Sequence, residues 1–254
     1  MVGVLAMPTI TMTNQSSWVQ SAAELRELLR LVHPPVGLSF VDQPPPGGAV
    51  REQVAPSACS FWRHAEQETF FAPREAHLGC AVGAVVLGIP LDDDAQARLG
   101  STLATMTGSG YLHPGEAAAL PTRSGCSGGV LYGPLAAHPV EPDLVVLWVS
   151  PRAAMLLGEA AGAVQWDHGG GLSFTGRPGC AALPLAEGSG AVAASLGCAG
   201  LRRFTGVEDE YLLAVLPGGQ LDRYLATLRA TVAANQVMDS VYAAAVPAAA
   251  TPPI

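Results

Sequence analysis

The chain of 254 residues contains no lysine; all 13 of its basic residues are arginine. That absence excludes a Schiff-base lysine, a Walker-type phosphate lysine and a kinase-type lysine. Any chemistry must use cysteine, histidine, arginine or carboxylates. Positive charge is scarce as well, with a formal net charge of −8. A nucleic-acid binder needs several cations to displace condensed counterions. Scattered arginines in an acidic chain therefore argue against nucleic acid as a partner, and equally against an acidic membrane surface. Aromatic residues make up 6% of the chain, while the apolar half of the composition leans on alanine and glycine. The core is expected to be closely apposed backbone and small side chains. No unbroken apolar run of about 18 residues or more appears, which excludes an evident transmembrane helix. The first 16 residues lack a positive n-region and a convincing cleavage site, and read as a flexible leader. Cytoplasm is the expected location, where cysteines more often bind metal or act in catalysis than form disulfides.

What the chain does have is one tetrapeptide written twice. Leu78-Gly79-Cys80-Ala81 returns as Leu196-Gly197-Cys198-Ala199. Eight residues past each cysteine stands a glycine with a β-branched residue after it, Gly88-Ile89 and Gly206-Val207. Upstream of each motif lies a second cysteine, Cys59 at 21 residues and Cys180 at 18 residues.

The pattern of apolar residues places these motifs on elements. Trp18 to Val32 is the first helix, ended by Pro34-Pro35. Val36 to Val41 reads as a buried strand, and Gln43 to Gly48 as a loop. A short helix from Ser57 and a strand then carry Cys59, Phe61, Trp62, Phe70 and Phe71. Gly79 to Leu87 and Cys198 to Thr205 read as short helices with the motif cysteines in their first turns. Asp92 to Asp94 signal the start of a helix through Met106, because acidic side chains favour the positive end of the dipole. Val130 to Leu135 and Asp143 to Val149 are strands, the second a continuous apolar run suited to burial on both faces. Ser150-Pro151 starts a helix through Ala163, with proline in the first turn. A Gly-rich turn from Trp166 leads into a short strand at Phe174, and Glu210 to Val215 is a further strand. Leu221 to Met238 is a last amphipathic helix, followed by an Ala/Pro tail (239–254) expected to be disordered.

In each half a strand precedes a cysteine, then Leu-Gly-Cys-Ala, then a short helix. The strands are offset by 108 residues and the motifs by 118. The expected fold is one compact α/β (α+β) domain, 17–238, with a mixed sheet and helices. It is built from two related, pseudo-two-fold halves of roughly 22–125 and 126–238.

A wider set of residues carries a family resemblance. Pro34-Pro35-Val36 leads into a strand, and Cys80-x-x-Gly83 leads to Leu87-Gly88. Tyr132-Gly133-Pro134-Leu135 is followed by Pro142-Asp143 and a strand ending in Ser150-Pro151. Gly197-Cys198-x-Gly200-x-Arg202 is followed by Asp209-Glu210. In this order they resemble the uncharacterised prokaryotic family called domain of unknown function 169, over roughly residues 22–233. The resemblance implies a single-family domain with cysteines at the positions of Cys59, Cys80, Cys180 and Cys198. It implies no reaction. Leu201 departs from the pattern, since relatives tend to have a polar residue there.

Those four cysteines form the candidate metal site. Iron–sulfur clusters and structural zinc both take four thiolates. The chain has no C-x2-C knuckle, so well-separated single cysteines suit an iron–sulfur cluster better, with zinc as the alternative and no metal as the third option. Free cysteines are also among the most buried residue types and behave as small hydrophobes. Arg202 is a candidate to grip an anionic cofactor or a substrate carboxylate, and Trp62, beside Cys59, to wall a pocket. His64 and His77 are candidate replacement ligands. Cys126, in Gly125-Cys126-Ser127, reads as a loop residue. The expected partners are a small anionic molecule or a redox protein. The oligomeric state is not set by these residues.

Overall fold

The computed structural model describes residues 15–113, 115–126, 128–162 and 173–245. The Gly-rich turn expected from Trp166 and most of the flexible leader lie outside the described residues.

The chain opens with helix α1 (Gln15–Leu29) and strand β1 (Val36–Val41). Next come β2 (Ala49–Val50), α2 (Ser60–His64), β3 (Phe70–Pro73), α3 (Ala81–Val86) and α4 (Asp93–Gly108). Strands β4 (Gly129–Pro134) and β5 (Leu144–Val149) and helix α5 (Pro151–Ala160) form the middle of the chain. The remainder is β6 (Ser173–Thr175), α6 (Ala182–Ser189), β7 (Ala193–Ser195), α7 (Ala199–Thr205), β8 (Leu212–Pro217) and α8 (Leu221–Ala245). The fold is α+β: one mixed sheet of eight strands in the order β2-β3-β4-β1-β5-β8-β7-β6, with helices on both faces.

Local sequence accounts for most of these boundaries. Asp92 caps α4 by accepting the Ala95 N–H at 2.7 Å, and Ser150 caps α5 by accepting the Ala153 N–H at 3.2 Å. Pro151 stands where a helix has no use for an N–H donor. Each short motif helix is followed by a left-handed glycine, Gly88 (φ +70°) and Gly206 (φ +62°), a conformation that ends a helix without a Cβ clash. β7 is three small residues, Ala193, Ala194 and Ser195, and carried no strand signal in the sequence. α8 continues to Ala245, so 239–245 is helical instead of belonging to the tail. Alanine, the best helix former, makes that extension favourable.

β5 runs through the centre and is buried along its whole length. Its side chains alternate between two cores, as the strand period requires. Leu144, Val146 and Trp148 join the core that contains Cys59 and Cys180. Val145, Leu147 and Val149 face the opposite core, where Leu25 and Leu29 of α1, Leu156 and Leu157 of α5, and Leu225 and Leu228 of α8 pack. At about 1.5–3 kcal/mol for each large apolar side chain removed from water, this strand is the main apolar anchor between the two layers.

The strand order runs through the same steps from either edge. An outer parallel pair comes first, β2 with β3 and β6 with β7. Two antiparallel steps follow, through β4 to β1 and through β8 to β5. Val36 stands opposite Pro134, and Leu144 opposite Pro217. Beyond these pairs Pro35 O accepts the Leu135 N–H, and Asp143 O accepts the Gly218 N–H, both at 2.8 Å. At the centre Gly37 of β1 is opposite Val145 of β5. β4 pairs with β1 and β3, so a division at 125/126 would cut it from its sheet neighbours. Two segments break the correspondence. β5 is followed by α5, and α3 is followed by α4 and a long connection before β4, whereas α7 leads to β8 within a few residues.

Candidate thiol-lined cavity

Cys80 and Cys198 occupy the same kind of position. Each is the N-cap residue of its helix, in extended conformation, and its sulfur accepts the N–H three residues on. The bonds are Gly83 N–H to Cys80 Sγ and Leu201 N–H to Cys198 Sγ, both at 3.3 Å. Such a bond satisfies a donor that the helix leaves unpaired, and it strengthens if the acceptor carries charge. Around Cys80 the backbones press close: a Cβ on Gly79 would lie 2.0 Å from Ala55 O. Gly197 is needed for another reason, its φ of +88°.

Cys59 lies just before α2, with its sulfur 2.8 Å from Ser57 Oγ. Cys180 sits in a 3₁₀ turn, Gly179–Ala181, that runs into α6. Burial pushes the Cys59 thiol up to about 12; the Ser57 hydroxyl opposes this, and Cys198 and Cys80 add to it. Burial also raises Cys180 well above the ordinary thiol range, with further contributions from Cys80, Cys59 and Cys198. Without a metal these two thiols stay protonated at neutral pH.

All four cysteines line a single cavity of about 610 Å³. Its inner wall is the thiols with Ala58, Ala81, Gly83 and Ala199; its outer wall is α4 and the segment after it. All five cysteines of the chain are free thiols. Cys126 is apart from the four, buried against Gly129 O at 3.6 Å, and burial raises its pKa as well.

The other candidates lie elsewhere. Arg202 is absent from the cavity wall. Its guanidinium donates to Glu208 O at 2.9 Å and Leu196 O at 2.8 Å, tying together the two ends of α7. Trp62 is buried in the core against Trp148, ring centroids 6.1 Å apart, and does not reach the cavity either. His77 is fully buried, bonded through one nitrogen to Pro73 O at 3.0 Å and through the other to Tyr132 Oη at 2.9 Å. Burial lowers its pKa to about 4. His64 lines a smaller hollow beside Arg51 and Phe61.

Four further residues of the cavity wall, Arg177, Tyr111, Glu116 and Arg98, belong to no motif of the sequence. Arg177 lies over the Tyr111 ring at 4.2 Å from its centroid, and 3.9 Å from a Glu116 carboxylate oxygen. Arg98, on α4, donates to Leu78 O at 3.2 Å. Nothing in local pattern relates Arg177 to Tyr111 and Glu116. They meet because the turn before Cys180 reaches across to the segment between α4 and β4.

Whether the thiols suit a metal is a question of donor kind and of geometry. The kind fits, since four thiolates are the ligand set of iron–sulfur clusters and of structural zinc. The geometry is open: among the described residues no three His, Cys, Asp or Glu side chains are arranged to hold a metal ion. The four sulfurs thus share one cavity without forming a closed coordination shell.

An α+β domain with a thiol-lined cavity beneath a mixed sheet is the class these observations define. The chain belongs to the domain of unknown function 169 family, described as uncharacterised ArCR, whose model matches residues 24–227. No curated protein and no solved structure matches it significantly. Among the described residues no helix is long and apolar enough to cross a membrane.

Proposed function

We propose that the chain binds a metal centre in this cavity, an iron–sulfur cluster held by Cys59, Cys80, Cys180 and Cys198. It would serve in electron transfer, redox catalysis or sensing. The observation that carries this reading is that four cysteines, scattered between positions 59 and 198, line one cavity. A bound cluster supplies one-electron chemistry. The protein's part is to hold and shield it. The N–H groups of Gly83 and Leu201 support charge on Cys80 and Cys198. Cys59 and Cys180 release protons on ligation, and the apolar wall limits water. The small neighbours Ala58, Ala81 and Ala199 leave room beside the thiols for a bound group. The matched strand registers support reading the two halves as one unit copied, each copy contributing two thiols. Zinc is the alternative ion for the same donors.

The test is the double variant Cys80→Ser, Cys198→Ser, with unfolding midpoint and bound iron both measured after anaerobic loading. An intact fold that has lost its iron supports the reading. An intact fold that retains iron at the wild-type level contradicts it.

A second reading is a metal-free accessory domain that binds a small molecule, its cysteines acting as small buried hydrophobes. It is favoured by the absence of a closed donor group among the described residues. In that case the same double variant keeps its ligand. Free thiols suit a cytoplasmic location on either reading, with a small anionic molecule or a redox protein as partner.

A further inference from the structure

The cavity is larger than four thiols and a cluster require. A cluster is a cage of metal–sulfur bonds of about 2.3 Å, whereas cavities of about 300–1,000 Å³ are the size that receives small organic ligands. At about 610 Å³ this cavity falls in the second class. The space not taken up by the thiols lies under α4 and the segment after it, the part of the wall that the second half lacks.

α4 is unusual for a helix of 16 residues, because Ala95 is its only buried residue. Leu99, Thr102, Leu103 and Met106 follow Ala95 at helical spacing, and all four line the cavity half-buried. The apolar stripe of the helix therefore faces space instead of core. At the mouth, the Arg177 guanidinium is oriented by the Tyr111 ring. Glu116 approaches it only at 3.9 Å, beyond hydrogen-bonding distance, while a Glu116 oxygen accepts the His113 N–H at 2.7 Å. An arginine held in this way suits bidentate recognition of a carboxylate or phosphate.

We propose that the outer part of the cavity binds a small organic anion with an apolar body. The body lies along the Leu99–Leu103–Met106 stripe of α4 and the acidic group on Arg177. This goes beyond the metal reading and does not depend on it, because none of these residues is a cysteine.

The test is calorimetric titration of the full chain with two probes of one chain length, octanoate and octan-1-ol. It is run on iron-free protein and again after anaerobic loading with iron and sulfide. Octanoate is expected to bind one per chain, and octan-1-ol at least tenfold more weakly. Arg177→Gln should bring octanoate down to the level of octan-1-ol and leave octan-1-ol unchanged. Leu103→Glu, or Met106→Glu one turn along, should abolish binding of both while leaving the unfolding midpoint within a few degrees of wild type. Cys80→Ser with Cys198→Ser should keep octanoate binding whatever its iron content, which separates failure of this site from failure of the metal centre. The proposal is overturned if octanoate shows no saturable one-to-one binding. It is equally overturned if Arg177→Gln binds octanoate as wild type does, or if folded Leu103→Glu and Met106→Glu both retain it.

Discussion

Cys80 and Cys198, 118 residues apart, make the same hydrogen bond: each sulfur caps its helix by accepting an N–H at 3.3 Å, from Gly83 in one case and Leu201 in the other. A sulfur can therefore have a structural role and a ligand role at once, and substitutions separate the two. Serine keeps a cap acceptor and removes the thiolate; alanine removes both. Loss of an N-cap costs about 1 kcal/mol. Urea unfolding should show Cys80→Ala and Cys198→Ala each less stable than wild type by about 1 kcal/mol, with Cys80→Ser and Cys198→Ser closer to wild type. Equal midpoints for the alanine and serine variants would show that the caps contribute nothing.

Ligation must take protons from Cys59 and Cys180, because burial holds Cys59 up to about 12 and Cys180 well above the ordinary range. Metal binding is then coupled to proton release. Titration of the reduced protein with cobalt(II) at pH 7.5, in buffers of different ionisation enthalpy, should show at least two protons released per metal bound. Affinity should rise with pH between 6.5 and 8.5. A pH-independent affinity would contradict the involvement of these two thiols.

Gly79 and Gly197 occupy the same place in the repeated tetrapeptide for different physical reasons. A Cβ on Gly79 meets Ala55 O at 2.0 Å, and one on Gly197 has only ordinary or slightly tight neighbours but φ at +88°. Gly79→Ala forces backbone apart, with an expected loss of about 2–3 kcal/mol, in the upper part of the range for overpacking. Gly197→Ala imposes left-handed strain of about 1–2 kcal/mol. Equilibrium unfolding of the two variants should rank Gly79→Ala as the more damaging; the reverse order would mean that the Ala55 contact relaxes easily.

His77 and His138 are both fully buried, and burial lowers each to about 4 from an ordinary 6.5. The folded state therefore binds protons less readily than the unfolded chain. Stability contributed by the neutral imidazoles is present above about 6.5 and is lost as pH falls toward 4, by about 3 kcal/mol for each histidine. Urea midpoints should drop steeply between pH 6.5 and 4.5. The drop should be shallower in His138→Gln, whatever that variant loses at pH 7.5. An unchanged slope would remove His138 from the acid response.

Much of this architecture was legible in the sequence, and the failures have physical causes. β5 was readable because a fully apolar run of that length makes a buried strand, and β1 because a largely apolar run follows Pro34-Pro35. The two motif helices were readable because each short run after the repeated Leu-Gly-Cys-Ala ends on a glycine, Gly88 or Gly206, that takes a left-handed conformation. β7 was not, because Ala193-Ala194-Ser195 has no strand propensity, and only pairing with β8 makes it a strand. The four cysteines could be chosen from the repeat, and the sheet brings them to one cavity. Arg202 followed Cys198 by one turn and looked like an anion grip, yet backbone carbonyls six residues away on either side take its donors. Trp62 follows Cys59 by three residues, a spacing that can share a helix face, but its large ring packs into the core against Trp148 and leaves the cavity wall to smaller side chains. The mouth of the cavity was illegible because Arg177, Tyr111 and Glu116 meet only through tertiary contact.

The most direct measurement is the iron and acid-labile sulfide content of the purified full chain after anaerobic reconstitution, taken with its visible absorption spectrum. The account predicts coloured protein with stoichiometric iron and sulfide, both lost in the Cys80→Ser, Cys198→Ser variant. Colourless, iron-free protein of intact fold would contradict it.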